Sequence, residues 1–441
     1  MSGPIAVPDR FPRTPAPARG TAPPLTLSWF DLRLEVITDL DGVRAEIAAQ
    51  HEVLDAARRP SVDHRLTLVI DPGLVERVRS RGAGRPSAPM ESFAGWWYET
   101  WPAEGGGRVL ASGDGQEWDH VLLTEDFRSW TVAGATMEGA AVAVGRLLRE
   151  LIREDLVQRG ALMFHAGAAV LPDGRAVMLP GGAGAGKTSS AVRLAEAGGH
   201  AVATDRLLLL PPSSAGSPGG WWMIGLPSTT RLGAGAVAAL GLAHRLADQV
   251  ASGRSRPDWL VSLARTGQLP DTSQSIAKLS LSNRDVRTLM GGGFMSAAPL
   301  DGIVVLRTED AARPVATHPV EPVAAVGAHL LVPDPAYPTH WLSARPFRED
   351  PATAHRALDR LVADVPVGEL SWNPARHCDL STAALLGAVL DCVRPGFGGG
   401  TASAAATLPP VLTFMADGAP QTVHQSPAGR PPGTTSSWRN E

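Results

Sequence analysis

Residues 181–188 read GGAGAGKT and fit the pattern G-x-x-x-x-G-K-[ST]. Glycines let successive backbone N–H groups turn inward and form a nest for phosphate oxygens. A helix beginning near Lys187 aims its positive end at the same anion. The Lys187 ammonium adds charge beside the transferred phosphate, and the Thr188 hydroxyl is a ligand type suited to Mg²⁺. The candidate nucleotide-binding residues are therefore Gly181, Gly182, Ala183, Gly184, Ala185, Gly186, Lys187, Thr188 and Ser189.

The strand RAVMLP (175–180) runs into this loop. A Pro-Asp-Gly turn joins it to ALMFHAGAAVL (161–171), which is a hairpin signal. A helix over Thr188–Ala197 follows, then strand pieces HAVAT and RLLLL around Asp205. Phosphoryl transfer needs a carboxylate to orient an acceptor hydroxyl or to hold Mg²⁺. Asp205 is the nearest acid downstream of the loop at the end of an apolar strand; its other reading is a turn residue. His165, read alone, is a histidine in an apolar strand and fits a core position as well as a site. In the downstream candidate GIVVLRTED (302–310) the apolar run ends at Arg307, not at the Asp expected of a motor NTPase or GTPase. The guanine-reading N-K-x-D pattern is absent.

Of the 40 basic residues only Lys187 and Lys278 are lysines. A drift from Lys to Arg explains the rest, and a compact ammonium is not replaceable by a guanidinium at a phosphate site. Lys278 precedes an alternating strand pattern in SIAKLSLSNRDVRTL (275–289), followed by Asn283, Arg284 and Arg287. It is a candidate phosphate or carboxylate contact; an edge-strand lysine is the alternative.

The order strand–His–strand–glycine loop–helix–Gly-His–strand–Asp, FHAGAAVLPDGRAVMLPGGAGAGKTSSAVRLAEAGGHAVATDRLLLL (164–210), resembles the core of the HPr kinase/phosphorylase superfamily, related to the ATP-dependent phosphoenolpyruvate carboxykinases. It looks most like the HPr-kinase-like proteins found beside peptide and natural-product biosynthesis genes. The resemblance implies transfer of phosphate from ATP, with Mg²⁺, to a hydroxyl of a peptide, protein or small molecule. It implies site roles for His165, Lys187 and Asp205, with Thr188 and Asp205 as metal ligands. Where the family carries two acidic residues, this chain has Asp205 between Thr204 and Arg206. That departure leaves no ground for the family's phosphorylase activity. It also keeps open a second class, a nucleotide-binding regulatory or scaffold protein with little kinase activity. In related sequences a stretch like WWMIGLPSTTRLG (221–233) lies near the active centre, which makes Ser228, Thr229 and Arg231 candidate substrate or phosphate contacts; a surface turn is the other reading.

The rest of the 441-residue chain sets the frame. Its length allows two or three domains. With 40 basic and 44 acidic residues, net charge −4, nothing electrostatic calls for nucleic acid or an acidic membrane. Gly (47) and Pro (38) make up about a fifth of the chain, above the usual eighth or so, and point to long unstructured pieces. Two cysteines exclude a disulfide framework and fit a reducing cytoplasm. No apolar run is long enough for a membrane span, and the N-terminus lacks a signal peptide's apolar core. Residues 1–26 hold seven prolines and read as a disordered leader; residues 396–441 read as a disordered tail, with VLTFMA (411–416) its one apolar stretch. Residues 27–135 read as a small α+β domain with a helix over Gly42–Arg58 and strands at 65–71, 95–101, 107–112 and 118–125. Asp71 there ends a strand before an Asp-Pro-Gly turn.

Residues 136–395 read as the nucleotide-binding domain, a mixed sheet with flanking helices. It opens with a Thr136-capped helix whose apolar stripe is Val144, Leu147, Leu148, Leu151, Ile152 and Leu156, and which Gly160 ends. Residues 235–272 read as helices. His377, Cys378 and Asp379 lack a second Cys/His cluster and do not read as a metal site. The fold class expected is α/β, α+β overall, and a homo-oligomer is left open.

Overall fold

The computed structural model describes residues 23–55, 61–83, 88–93, 96–103, 106–112, 119–212, 214, 219–243, 245–246, 260, 265–266, 278–309, 314–334, 339–340, 342–372 and 382–393. These form a mixed α/β protein with two large mixed sheets, a two-stranded ribbon and nine helices among the described residues. The proline-rich leader, the tail, and the His377–Asp379 cluster lie outside them, except that the first strand begins at Leu25, inside the leader.

The first sheet contains β1 (Leu25–Trp29), β2 (Leu32–Ile37), β3 (His64–Ile70), β4 (Ala88–Phe93), β5 (Trp96–Pro102), β6 (Arg108–Ser112), β7 (His120–Thr124) and β8 (Ser129–Gly134). Their order is β1-β2-β3-β8-β7-β6-β5-β4. The pairs β2–β3 and β3–β8 are parallel; β4 to β8 form an antiparallel meander. Helix α1 (Asp41–Gln50) supplies the crossover between β2 and β3. It is shorter than the expected Gly42–Arg58, because the chain turns away at His51 to bond elsewhere: Leu54 N donates to Phe294 O at 2.8 Å. Helix α2 (Pro72–Gly82) corrects the reading of Asp71 as a turn residue. The Asp71 carboxylate accepts from Leu74 N at 2.8 Å, and Pro72 starts the helix, so Asp71 is an N-cap. Leu74, Val75 and Val78 of α2 pack under Val109, Val121 and Leu123. The opposite face is covered by α3 (Met137–Gln158). With both faces covered, β7 is buried at every position.

Thr136 caps α3 as expected, accepting from Gly139 N at 3.1 Å. Gly160, at φ 87°, ends it. The six stripe residues are buried among Leu34, Leu66, Leu122 and Trp130 of the first sheet, and among Leu208, Leu210 and Ile224 of the second. At roughly 1.5–3 kcal/mol per fully buried aliphatic side chain, this helix is a main source of cohesion. The boundary drawn at 135/136 falls between β8 and α3, and this apolar cluster crosses it. Polar ties cross as well: Trp29 Nε1 donates to Gly225 O at 2.7 Å, and Asp55 accepts from Ser296 N, Ser296 Oγ and Ala297 N.

The second sheet holds β9 (Leu162–Val170), β10 (Ala176–Pro180), β11 (His200–Ala203), β12 (Arg206–Leu210), β13 (Trp222–Gly225), β16 (Ala297–Pro299), β17 (Gly302–Thr308), β18 (Val315–Thr317) and β19 (Val367–Trp372); β14 (Thr230–Leu232) and β15 (Leu279–Leu281) form the separate ribbon. Its order is β16-β13-β12-β9-β10-β17-β19-β18, with β11 also on β9. The central β10–β17–β19 pairs are parallel. One face carries α4 (Lys187–Glu196) and, toward β19, the helix Thr382–Cys392; the other carries the helix Pro351–Asp364. Among the described residues no helix is long and apolar enough to cross a membrane.

Candidate functional site

The glycine-rich loop connects β10 to α4, at the end of a parallel strand. Gly181 enters beside β17, where a Cβ would come within 2.9 Å of Leu306 O, so this position is held to glycine by close backbone approach. Gly184 and Gly186 have φ of 77° and 87°, the left-handed region that glycine tolerates. Gly182, Ala183 and Gly184 form an exposed crest. Ala185 is buried and its carbonyl is fixed by Trp372 Nε1 at 2.9 Å. Helix α4 starts at Lys187, and Ser190 N makes its first intrahelical bond to Gly186 O at 2.7 Å.

The Lys187 ammonium folds back over this crest, donating to Gly181 O and Gly182 O, each at 2.8 Å. Burial lowers its pKa; the Asp205 carboxylate opposes that, and the charges of Arg206 and Lys278 add to it. Lys278 therefore lies within electrostatic reach of Lys187, although 91 positions separate them in the chain. The Thr188 hydroxyl donates to Thr204 O at 3.0 Å, which ties the start of α4 to the residue before Asp205. Ser189 is buried.

Asp205 does not end a strand, as the sequence suggested; it occupies a seam. Strand β9 pairs with β12 through residues 162–165 and with β11 through residues 168–170. Thr204 and Asp205 bridge the two partners, and Asp205 O accepts from Ala166 N at 3.1 Å. The break in pairing frees the Asp205 side chain, which is 56% exposed. Its Oδ1 lies 3.1 Å from His165 Nε2, and its Oδ2 lies 3.4 Å from Arg206 Nη1. Burial pushes the Asp205 carboxyl up, but the His165 hydrogen bond and the charges of Arg206, His165 and Lys187 outweigh it and hold the group below the usual carboxylate range. His165 is thus partly exposed at the seam, not packed in a core.

Three residues that the sequence did not single out join the site. Arg206 also lies 3.8 Å from the buried Asp334 carboxylate, which steadies it from behind. His329 arrives because Leu330 bridges to Phe164; its carbonyl accepts from His165 N at 3.0 Å. Burial lowers the His329 pKa, and the charges of Lys187, His165 and Arg307 lower it further. No local motif marks Asp334 or His329; only the tertiary pairing brings them in. A cleft of about 810 Å³ opens on the other flank of the loop, lined by Gly182, Ala185, Arg307, Glu309, Glu321 and His329 among others.

Arg231 and Lys278 meet on the β14–β15 ribbon. Arg231 pairs with Ser280, and Lys278 precedes that residue by two. Leu232, Leu279 and Leu281 are buried while Arg231 and Lys278 are exposed, so the ribbon turns its cations outward. The expected strand after Lys278 is three residues long and gives way to the helix Asn283–Met290, which Ser282 and Asp285 cap reciprocally. Asn283, Arg284 and Arg287 face away from the loop: they bond Glu52, at 3.2, 2.7 and 2.9 Å. Ser228 and Thr229 are half-buried in the segment leading to the ribbon.

Among the described residues no group of three or more His, Cys, Asp or Glu could hold a metal by itself. No known protein-family model matches the chain, and no curated protein matches it.

Proposed function

We propose that the chain is an ATP-dependent phosphotransferase with an HPr-kinase-like core, acting on a hydroxyl of a peptide, protein or small molecule. The observation that carries this is the convergence of four groups from three segments. Lys187 and Thr188 open α4, Asp205 sits in the seam of β9's partners, and His165 lies across from it. The glycine loop suits phosphate oxygens because its turns and the start of α4 present backbone N–H groups to an anion.

The donor set suits Mg²⁺. The Thr188 hydroxyl and an Asp205 carboxylate that stays ionised at neutral pH are hard oxygens of the kind Mg²⁺ takes, and these two residues would hold the ion from the protein side. Bound nucleotide and metal supply the transferable phosphoryl group and neutralise its charge. Lys187 leaves the loop carbonyls to meet phosphate charge. Asp205 accepts a hydrogen bond from the acceptor hydroxyl and takes its proton as transfer proceeds. His165 Nε2, on Oδ1, keeps the carboxylate turned toward that hydroxyl. Arg206, anchored by Asp334, adds a positive charge beside it.

The test is Lys187→Ala, assayed for Mg²⁺-nucleotide binding by calorimetry and for ADP formation with and without peptide and metabolite acceptors. The reading expects acceptor-stimulated turnover in the wild type and none in the variant. Full turnover in the folded variant sinks it. Wild-type binding without stimulation by any acceptor favours a nucleotide-binding regulatory protein instead.

A further inference from the structure

The leucines of the β14–β15 ribbon, Leu232, Leu279 and Leu281, pack with Val192 and Ala195 of α4, the helix that Lys187 opens. Lys278, at the start of this ribbon, lies within electrostatic reach of Lys187. Arg231 shares the exposed ribbon face with Lys278 and adds a further positive charge. Among the described residues neither the Arg231 nor the Lys278 side chain has a hydrogen bond or ion pair. Two such cations on the outward face of a two-stranded ribbon with a leucine-lined underside form an anion contact. In a chain where 38 of 40 basic residues are arginine, the ribbon carries one of the two lysines.

We propose that the phosphoryl acceptor is itself an anion, a molecule whose reactive hydroxyl lies beside a carboxylate or phosphate group, and that Lys278 and Arg231 hold that group. This rests on the nucleotide reading of the 181–188 loop and names the substrate class of that site. Phosphate oxygens on the loop engage Lys187 and the α4 N-terminus. The ribbon's cations, which are not among the residues lining the cleft beside β17, remain for the second ligand. An anionic group there brings a hydroxyl toward Asp205 while offsetting the repulsion between Lys278 and Lys187. A neutral alcohol leaves the ribbon unsatisfied and binds weakly.

The test uses the full chain saturated with Mg²⁺ and β,γ-imido-ATP, so that added anions cannot occupy the loop. Two matched pairs are titrated by calorimetry: glycerol 3-phosphate against glycerol, and N-acetylserine against N-acetylserine amide. The charged member of at least one pair should bind tenfold or more tighter than its neutral partner, and the pair that responds tells phosphate from carboxylate. Lys278→Ala and Arg231→Ala should each weaken that binding tenfold or more and leave affinity for the nucleotide analogue within threefold. Both side chains are exposed, and retained nucleotide affinity certifies the fold. Equal binding of charged and neutral members, no binding of either, or wild-type anion binding in both variants overturns the inference. A parallel tenfold loss of nucleotide affinity overturns it too, because the ribbon then serves the nucleotide. If the wild type does not bind the analogue, the loop reading itself fails, a result distinct from all of these.

Discussion

Replacing Asp205 by Asn separates a working carboxylate from a structural one, because the two roles differ greatly in size. Asp205 is 56% exposed, and its partners, His165 Nε2 and Arg206 Nη1, stand at 3.1 and 3.4 Å. Exposed pairs of this kind contribute about 0–1 kcal/mol. A carboxamide is nearly isosteric and still accepts one hydrogen bond, so the stability lost in Asp205→Asn should stay below about 1 kcal/mol. A general base in phosphoryl transfer is worth about 10²–10⁴ in rate, or about 3–5 kcal/mol of barrier. The assay pairs single-turnover ADP formation with urea denaturation of the same preparations. The expected result is a rate loss of at least a hundredfold in a protein whose stability is almost unchanged. A rate within fivefold of wild type refutes the catalytic role. A rate loss matched by an equal stability loss refutes the reasoning from exposure. Since the folded-state pKa of Asp205 is depressed, its small stabilising contribution is present above the ordinary carboxylate pKa. It is lost as pH falls through the folded value. The stability gap between wild type and variant should therefore be flat from pH 7 to about 5 and close only in strong acid.

Two other sites give independent checks. Gly225→Ala would place a Cβ 1.8 Å from Val202 O, a backbone atom that no rotamer change can move; urea denaturation should show a loss of about 3 kcal/mol, at the upper end for overpacking, and a near-neutral result would place that approach in error. Burial depresses the His51 pKa to about 4, against a bond to Ile47 O that raises it. The unfolded chain therefore binds this proton first, and stability falls between pH 6.5 and 4 by roughly 3 kcal/mol from His51 alone. His51→Leu should flatten that part of the pH–stability curve, and an unchanged slope would clear His51 of the effect.

The features set by neighbouring residues were legible in the chain. The β9–β10 hairpin, the glycine loop and α4 fall within a residue or two of their expected bounds, because turn, loop and helix signals are local. The Thr136 cap and the α3 stripe are of the same kind. Helix α2 was legible as well, in Asp71 followed by Pro72, but the Asp-Pro-Gly triplet also spells a turn. What decided for a helix was burial of Leu74, Val75 and Val78 against the sheet, which local sequence does not carry. The position of Asp205 depended on β9 changing partners midway, and the arrival of His329 on a bridge between Phe164 and Leu330. Both are outcomes of long-range pairing. The outward face of Lys278 was half legible, in the alternation that follows it; Arg231 also read as a surface turn, and the register joining the two was not visible.

Helix α3 has apolar neighbours on both sides, the first sheet and strands β12 and β13 of the second. Such a helix cannot be assigned to either half without stripping the other. Cutting the chain after residue 135 would bare Leu34, Leu66 and Trp130 on one fragment and the stripe of α3 on the other, wet surfaces that each favour aggregation. The Trp29–Gly225 and Asp55–Ser296 bonds would be severed by the same cut. The two sheets therefore share one apolar core through α3. A substitution under the first sheet, far from Lys187 in the chain, draws on the same reserve of stability that keeps β12, and with it the seam at Asp205, in place.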